Sequence, residues 1–241
     1  DSNETSYNNH FLYPRNGAGS FIDVLYQGLD KSRVKLDTTV VEVDCNRKIV
    51  LTSTGDEYKY DYLINTSPLN AFMQLQSKSQ YIHLQSELSY NKVLVFNLGF
   101  NKKSDYKDEH WIYVPGRDYN YYRIGFYDNI LDSDKLSMYI EIGYSKNAEI
   151  HVEEQLKETI KNLKREHIID DTFILEEYSA IIMNPAYVHI NGETEKKIRE
   201  YKEFMEKQNV YTIGRYGGWT YCSMEDCMIA ARDLAMSLCQ G

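Results

Sequence analysis

The sequence predicts a mixed α/β (α+β) fold in which two units are interleaved along the chain. Three observations carry this. Residues 34–67 hold short β-rich runs separated by turn residues. From about Tyr90 the runs lengthen and take on an antiparallel texture, and the chain closes on a strand, a glycine loop and a helix. With no internal repeat, low-complexity tract or flexible linker to mark a tether, residues 1–80 and 208–241 are assigned to a partial Rossmann-like domain. Residues 81–207 are assigned to an antiparallel sheet with covering helices.

In FLYPRNGAGSFIDVLYQGL, residues 11–29, a proline, Gly17 and Gly19 precede Phe21, Val24, Leu25 and Leu29, spaced for one face of a helix. VKLDTTVVEVD, KIVLTS and DYLINTS follow as strands, with Asn46 and Gly55 in the turns, and Pro68 opens a short helix. KVLVFNLGF, HWIYVP, YYRIGFYD and LSMYIEIGY supply the second sheet. Val152, Leu156, Ile160 and Leu163 mark a helix covering it, followed by a strand around Thr172–Ile182. Residues 193–207 form a charged helix and 209–213 a short strand. Residues 225–239 form a helix with Met228, Ala231, Leu234 and Leu238 facing inward.

Of the 241 residues, 42% are hydrophobic and 26% charged, and no window approaches the roughly 18 consecutive apolar residues of a membrane helix. The net charge of -9 opposes binding to nucleic acid or an anionic bilayer. The four cysteines, Cys45, Cys222, Cys227 and Cys239, show no CxxC pair and no histidine at ligand spacing; ordinary thiols in a reduced, cytoplasmic setting are expected, and no metal. The chain opens without Met on a polar run, Asp1–His10, which reads as the interior of a longer protein. Its 22 tyrosines, against 8 Phe and 2 Trp, join apolar rings to hydrogen-bonding tips and suit polar ligands such as sugars and nucleotides; half-buried strand positions account for many of them.

The strongest local signal is YTIGRYGGWTYCSMEDCMIAARDLA, residues 211–235. Gly214, Gly217 and Gly218 permit close backbone approach, and free N–H groups at the start of the next helix can receive an anion, a geometry suited to a nucleotide cofactor. Glu225 and Asp226 equally suit a first helical turn with no ligand at all. The histidines, His10, His83, His110, His151, His167 and His189, are scattered, and none is assigned a catalytic role.

GRYGGWTYCSMED resembles the carboxy-terminal flavin-binding segment of UDP-galactopyranose mutases and related amine-oxidase-like and protoporphyrinogen-oxidase-like flavoproteins. FLYPRNGAGSFIDVL is similar to the family's aromatic-proline-glycine loop, and VVEVDCNRKIVLTSTGDEYKYDYLINTSPL to its strand, hairpin and closing strand. The resemblance implies FAD, with the backbone of Val40 at the adenine end and Gly214, Arg215, Met224, Glu225 and Asp226 beside the pyrophosphate and ribityl portion. Gly17 and Gly19 would lie near the isoalloxazine. HWIYVPGRDYNYYRIGFYDN resembles the mutases' substrate-facing aromatic strand. Arg123 then falls on a diphosphate-binding arginine, Tyr187 and Tyr221 on phosphate-contacting tyrosines, and Trp111 and Tyr113 on the cleft wall. A surface ion pair is the alternative for Arg123, and a plain strand position for Val40.

By that resemblance, the reaction is a flavin-assisted rearrangement at a sugar-nucleotide anomeric carbon, serving cell-surface polysaccharide synthesis, with NAD(P)H a reductant open to it. The alternatives are an FAD-dependent oxidoreductase of the amine or protoporphyrinogen type and a cofactor-free glycan- or protein-binding module. Val188-His189-Ile190 replaces the mutases' proline-rich sequence, a departure from the mutase pattern; and no GxGxxG stands in a strand-turn-helix context, so this chain alone is expected to hold FAD poorly and to be inactive. Unpaired strands of the partial domain lead to an expectation of exposed edges or a homodimer.

Overall fold

The computed structural model describes residues 12–76 and 79–240. The polar run Asp1–His10, with the reading placed on it, therefore lies outside the described residues. Three sheets and eight α-helices make up the described chain.

Helix α1 (Ala18–Gln27) follows Gly17, whose φ of +82° is a left-handed conformation that glycine adopts without strain. Strands β1 (Val40–Asp44), β2 (Ile49–Thr52) and β3 (Glu57–Lys59) form an antiparallel meander. The strand expected from Val34 begins only at Val40: a 3₁₀ turn over Lys31–Arg33, capped by Asp30, and a left-handed Asp37 at φ +52° interrupt the extended run that the β-branched residues suggest. Strand β4 (Leu63–Asn65) pairs in parallel with β10 (Val210–Thr212), joining the two ends of the chain. Between them lie α2 (Leu69–Gln74), after Pro68 as expected, and the single turn α3 (Leu84–Glu87).

The large sheet runs β6 (Trp111–Tyr113), β7 (Arg123–Phe126), β8 (Ser137–Ser145), β5 (Tyr90–Phe100) and β9 (Leu175–Val188), antiparallel throughout. Its period of two turns Leu94, Phe96, Leu98, Ile124, Met138 and Ile140 to one face, where α5 (Val152–Arg165) covers them with Leu156 and Leu163. A short α4 (Tyr127–Leu131) links β7 to β8. Strand β9 is an edge strand, with Ile181 and Ile182 both exposed.

A second core gathers Val43, Leu69, Phe72, Leu88, Val210 and Trp219 with Ile198, Tyr201 and Met205 of α6 (Gly192–Glu206). The sequence division placed α6 with the 81–207 unit; packing places it against the β1–β4 side instead. Helical spacing reveals that a face is buried, not what buries it. The same limit explains a second correction. In α8 (Met224–Cys239), expected to turn four apolar residues inward, Met228 and Ala231 are exposed, Leu234 and Leu238 are only half-buried, and no residue is fully buried. Helix α1 likewise buries nothing: Phe21, Val24, Leu25 and Leu29 are all exposed. No helix among the described residues is long and apolar enough to cross a membrane.

Candidate functional site

The face of the large sheet opposite α5 is polar and aromatic. Strand register sets Tyr113, Arg123, Glu141, Val95 and Ile181 in one row across all five strands, and Trp111, Gly125, Tyr139, Asn97 and Ser179 in the next. Arg123 donates from Nη2 to Glu141 Oε1, and Tyr122 donates to the other oxygen of the same carboxylate. The guanidinium lies 5.9 Å from the Tyr113 ring centroid and 5.6 Å from that of Tyr139. Gly125 makes room for this: a Cβ there would stand 1.9 Å from Tyr139 Cε1, so the tyrosine ring occupies the space of a missing side chain.

Burial dominates the electrostatics of this face. It acts to lower the Arg123 pKa, but hydrogen bonds with Glu141 and Tyr113 outweigh it and hold the guanidinium above its ordinary range. The Tyr122 hydroxyl is pushed up by burial and then by its bond to Glu141, and Tyr139 is pushed up to about 12, chiefly by burial. Glu141 is 6% exposed at its side chain and Arg123 25%, so this is a largely desolvated ion pair rather than the surface pair considered from sequence. Arg123 Nε is buried without a hydrogen-bond partner among the described residues.

A second cluster forms between the end of β9 and the segment leading into α8. Helix α7 (Gly214–Gly217) carries Arg215, whose Nη1 donates to the Cys222 carbonyl at 3.2 Å. Its guanidinium lies 4.7 Å from the Tyr221 ring centroid and 5.2 Å from that of Tyr187, and the two rings stack 6.2 Å apart. Tyr187 also interacts with Tyr122, linking this cluster to Glu141 and Arg123. The structure thus brings Arg215, Tyr187 and Tyr221 together, and Trp111, Tyr113 and Arg123 together, joined by Tyr122 and Glu141, which sequence reasoning did not single out. Alternation in YYRIGF and SMYIEIGY places Arg123 and Glu141 on polar faces, but nothing in it specifies that the faces coincide in register.

The 210–226 segment folds as its glycines allow. Ile213 donates from its backbone N–H to Asn65 O at 3.0 Å, Gly214 takes φ +76°, and a Cβ on Gly217 would stand 2.6 Å from Asn65 O. Ser223 caps α8, and its N–H and Oγ both donate to Asp226, holding that carboxyl below its ordinary range. Asp226 is therefore occupied by the capping box, while the N–H groups of Met224 and Glu225 at the open, solvent-facing start of α8 have no protein acceptor among the described residues. Two free amides beside a glycine-bearing turn fit one edge of a pyrophosphate or ribityl chain. Val40 stands at the start of β1, half-buried against the second core. Gly17 precedes α1 as its N-cap, and Gly19 lies in its first turn. Among the described residues no group of three His, Cys, Asp or Glu could hold a metal ion.

Residues 3–238 match the family model described as flavin containing amine oxidoreductase. The chain is 31% identical over 104 residues to a protoporphyrinogen oxidase of Dictyostelium discoideum, an alignment spanning 39% of this chain and 20% of that protein. In fold it is similar to a reduced UDP-galactopyranose mutase (TM-score 0.80, 17% identity, 87% of this chain and 48% of that one). It is similar too to a protein of Exiguobacterium sp. 255-15 provisionally described as a protoporphyrinogen oxidase (TM-score 0.78, 16% identity, 96% and 53%). The chain spans about half the length of these two structures. With nearly its whole length matched by the family model, the chain belongs to the flavin-containing amine oxidoreductase family.

Proposed function

We propose that this chain serves an FAD-dependent enzyme acting on a sugar nucleotide or related glycan precursor in cell-surface polysaccharide synthesis. The observation that carries the reading is the pair of arginine–tyrosine clusters linked through Tyr122 and Glu141. Permanent positive charge and tyrosine hydroxyls at the centre of the open face suit a diphosphate and a sugar better than an apolar ring system.

In this reading the Gly214–Thr220 turn and the amides of Met224 and Glu225 hold the FAD pyrophosphate edge, Val40 lies at the adenine end, and Gly17 and Gly19 lie by the ring. Bound, reduced FAD supplies the electron-rich centre for chemistry at the anomeric carbon. The chain's own residues bind and neutralise: Arg123, Tyr187 and Tyr221 receive the diphosphate as it separates from the sugar, and Trp111 and Tyr113 wall the cleft. Because Glu141 cancels the charge of Arg123, Arg215, which has no carboxylate partner among the described residues, supplies the net positive charge of the site.

The test is UDP and UDP-sugar affinity of the intact, flavin-loaded enzyme. Arg123→Ala is expected to weaken binding roughly 10- to 100-fold, the worth of a charge-assisted hydrogen bond; unchanged affinity sinks the assignment. A second reading, an oxidase acting on an amine or porphyrinogen, is favoured by the 31% identity to the Dictyostelium protein. Substrate-dependent oxygen consumption without any sugar-nucleotide turnover would select it, and a longer, intact protein that still purifies colourless would remove both in favour of a cofactor-free binding module.

A further inference from the structure

The Sγ atoms of Cys222 and Cys227 lie 3.5 Å apart. They are five residues apart in sequence, one immediately before the N-cap Ser223 and the other in the first turns of α8, and both are half-buried. A CxxxxC spacing is not a redox motif, so the pairing is a product of the fold: the segment leading into the Ser223 cap sets Cys222 beside Cys227 at the start of the helix. Cys45 and Cys239 have no comparable thiol neighbour among the described residues.

We propose that Cys222 and Cys227 form a reversible dithiol–disulfide site that fixes the 214–227 wall. The sulfurs stand about 1.5 Å beyond bonding distance. The oxidant is a low-molecular-weight disulfide such as oxidised glutathione. One thiolate attacks it, releasing a first glutathione thiol and leaving a mixed disulfide. The second cysteine thiolate then attacks the protein sulfur of that mixed disulfide, releasing a second glutathione thiol and closing the Cys222–Cys227 bond. Both protein thiol protons pass to solvent and are taken up by the released thiolates. Two cysteines are oxidised and one glutathione disulfide is reduced.

The consequence reaches beyond the sulfurs. The Cys222 carbonyl holds Arg215 Nη1 at 3.2 Å, and that guanidinium lies beside the stacked Tyr187 and Tyr221 rings. Tying Cys222 to α8 restrains the backbone that positions Arg215. Only the link from this restraint to ligand binding rests on the proposed function; the covalent chemistry stands apart from it.

The experiment equilibrates the purified chain in oxidised and reduced glutathione, quenches by acid and maps thiols by mass spectrometry. The expected product is an internal Cys222–Cys227 disulfide, two hydrogens lighter, with glutathione adducts confined to exposed Cys239; Cys222→Ser and Cys227→Ser each retain a glutathione adduct on the surviving partner. Hydrogen exchange of the 214–227 amides should slow in the oxidised chain and recover with a reducing dithiol. Persistent adducts on both cysteines of the wild-type chain, or two thiols that stay reduced while Cys239 reacts, would overturn the site. A disulfide that leaves exchange in the segment unchanged would overturn its role in fixing the wall.

Discussion

Arg123 and Glu141 show how a single row of a sheet sets the character of a site. Removing Glu141 leaves a mostly buried guanidinium without its counter-ion and Tyr122 without its acceptor, so Glu141→Ala is expected to destabilise the chain by about 3 kcal/mol, measured by urea unfolding. Glu141→Gln, which keeps an acceptor oxygen, should lose less. The buried tyrosines fix the alkaline limit. Tyr121 and Tyr139, both raised from 10.0 to about 12 chiefly by burial, hold their protons more tightly folded than unfolded. Their contribution to stability is therefore complete below pH 10 and is lost as pH rises towards about 12. Urea midpoints should fall across that window, and less steeply in Tyr139→Phe; equal slopes in the two proteins would refute the attribution.

Elements carry the next layer of constraint. Strand β7 tolerates no side chain at Gly125, because Tyr139 of β8 lies over it: Gly125→Ala is expected to cost about 1–3 kcal/mol by overpacking. Combining it with Tyr139→Ala should be markedly less than additive in a double-mutant cycle, whereas full additivity would mean that the ring does not fill that space. At α8, Ser223→Ala removes the hydroxyl half of the capping box, leaving the backbone N–H bond to Asp226, and should lower stability by about 1 kcal/mol in thermal unfolding. Helix α8 was legible from its spacing and its acidic first turn, and α5 from its apolar stripe. The single-turn α4 and the strand Glu57–Lys59 were not, since three to five residues hold too little periodicity to register.

The whole molecule leaves two apolar helices uncovered. Phe21, Ile22, Leu25, Met228 and Ile229 are each more than a third exposed, more apolar surface than α1 and α8 would present if packed on a core. Self-association of the isolated chain is expected to rise with concentration in analytical ultracentrifugation, and Leu25→Lys with Ile229→Lys to suppress it; a concentration-independent monomer would contradict this.

By itself the sequence determined the alternation of strands and helices, the antiparallel sheet after Tyr90, the glycine turn at Gly214 and the residues worth placing in a site, because these follow from local periodicity and backbone sterics. Tertiary structure alone decided the rest. It set Arg123 against Glu141, joined Tyr187 to Tyr221 across 33 intervening positions, moved α6 to the other core and left α8 without a buried face. Register and packing depend on contacts between segments distant in the chain, and no period within one segment encodes which distant segment it will meet.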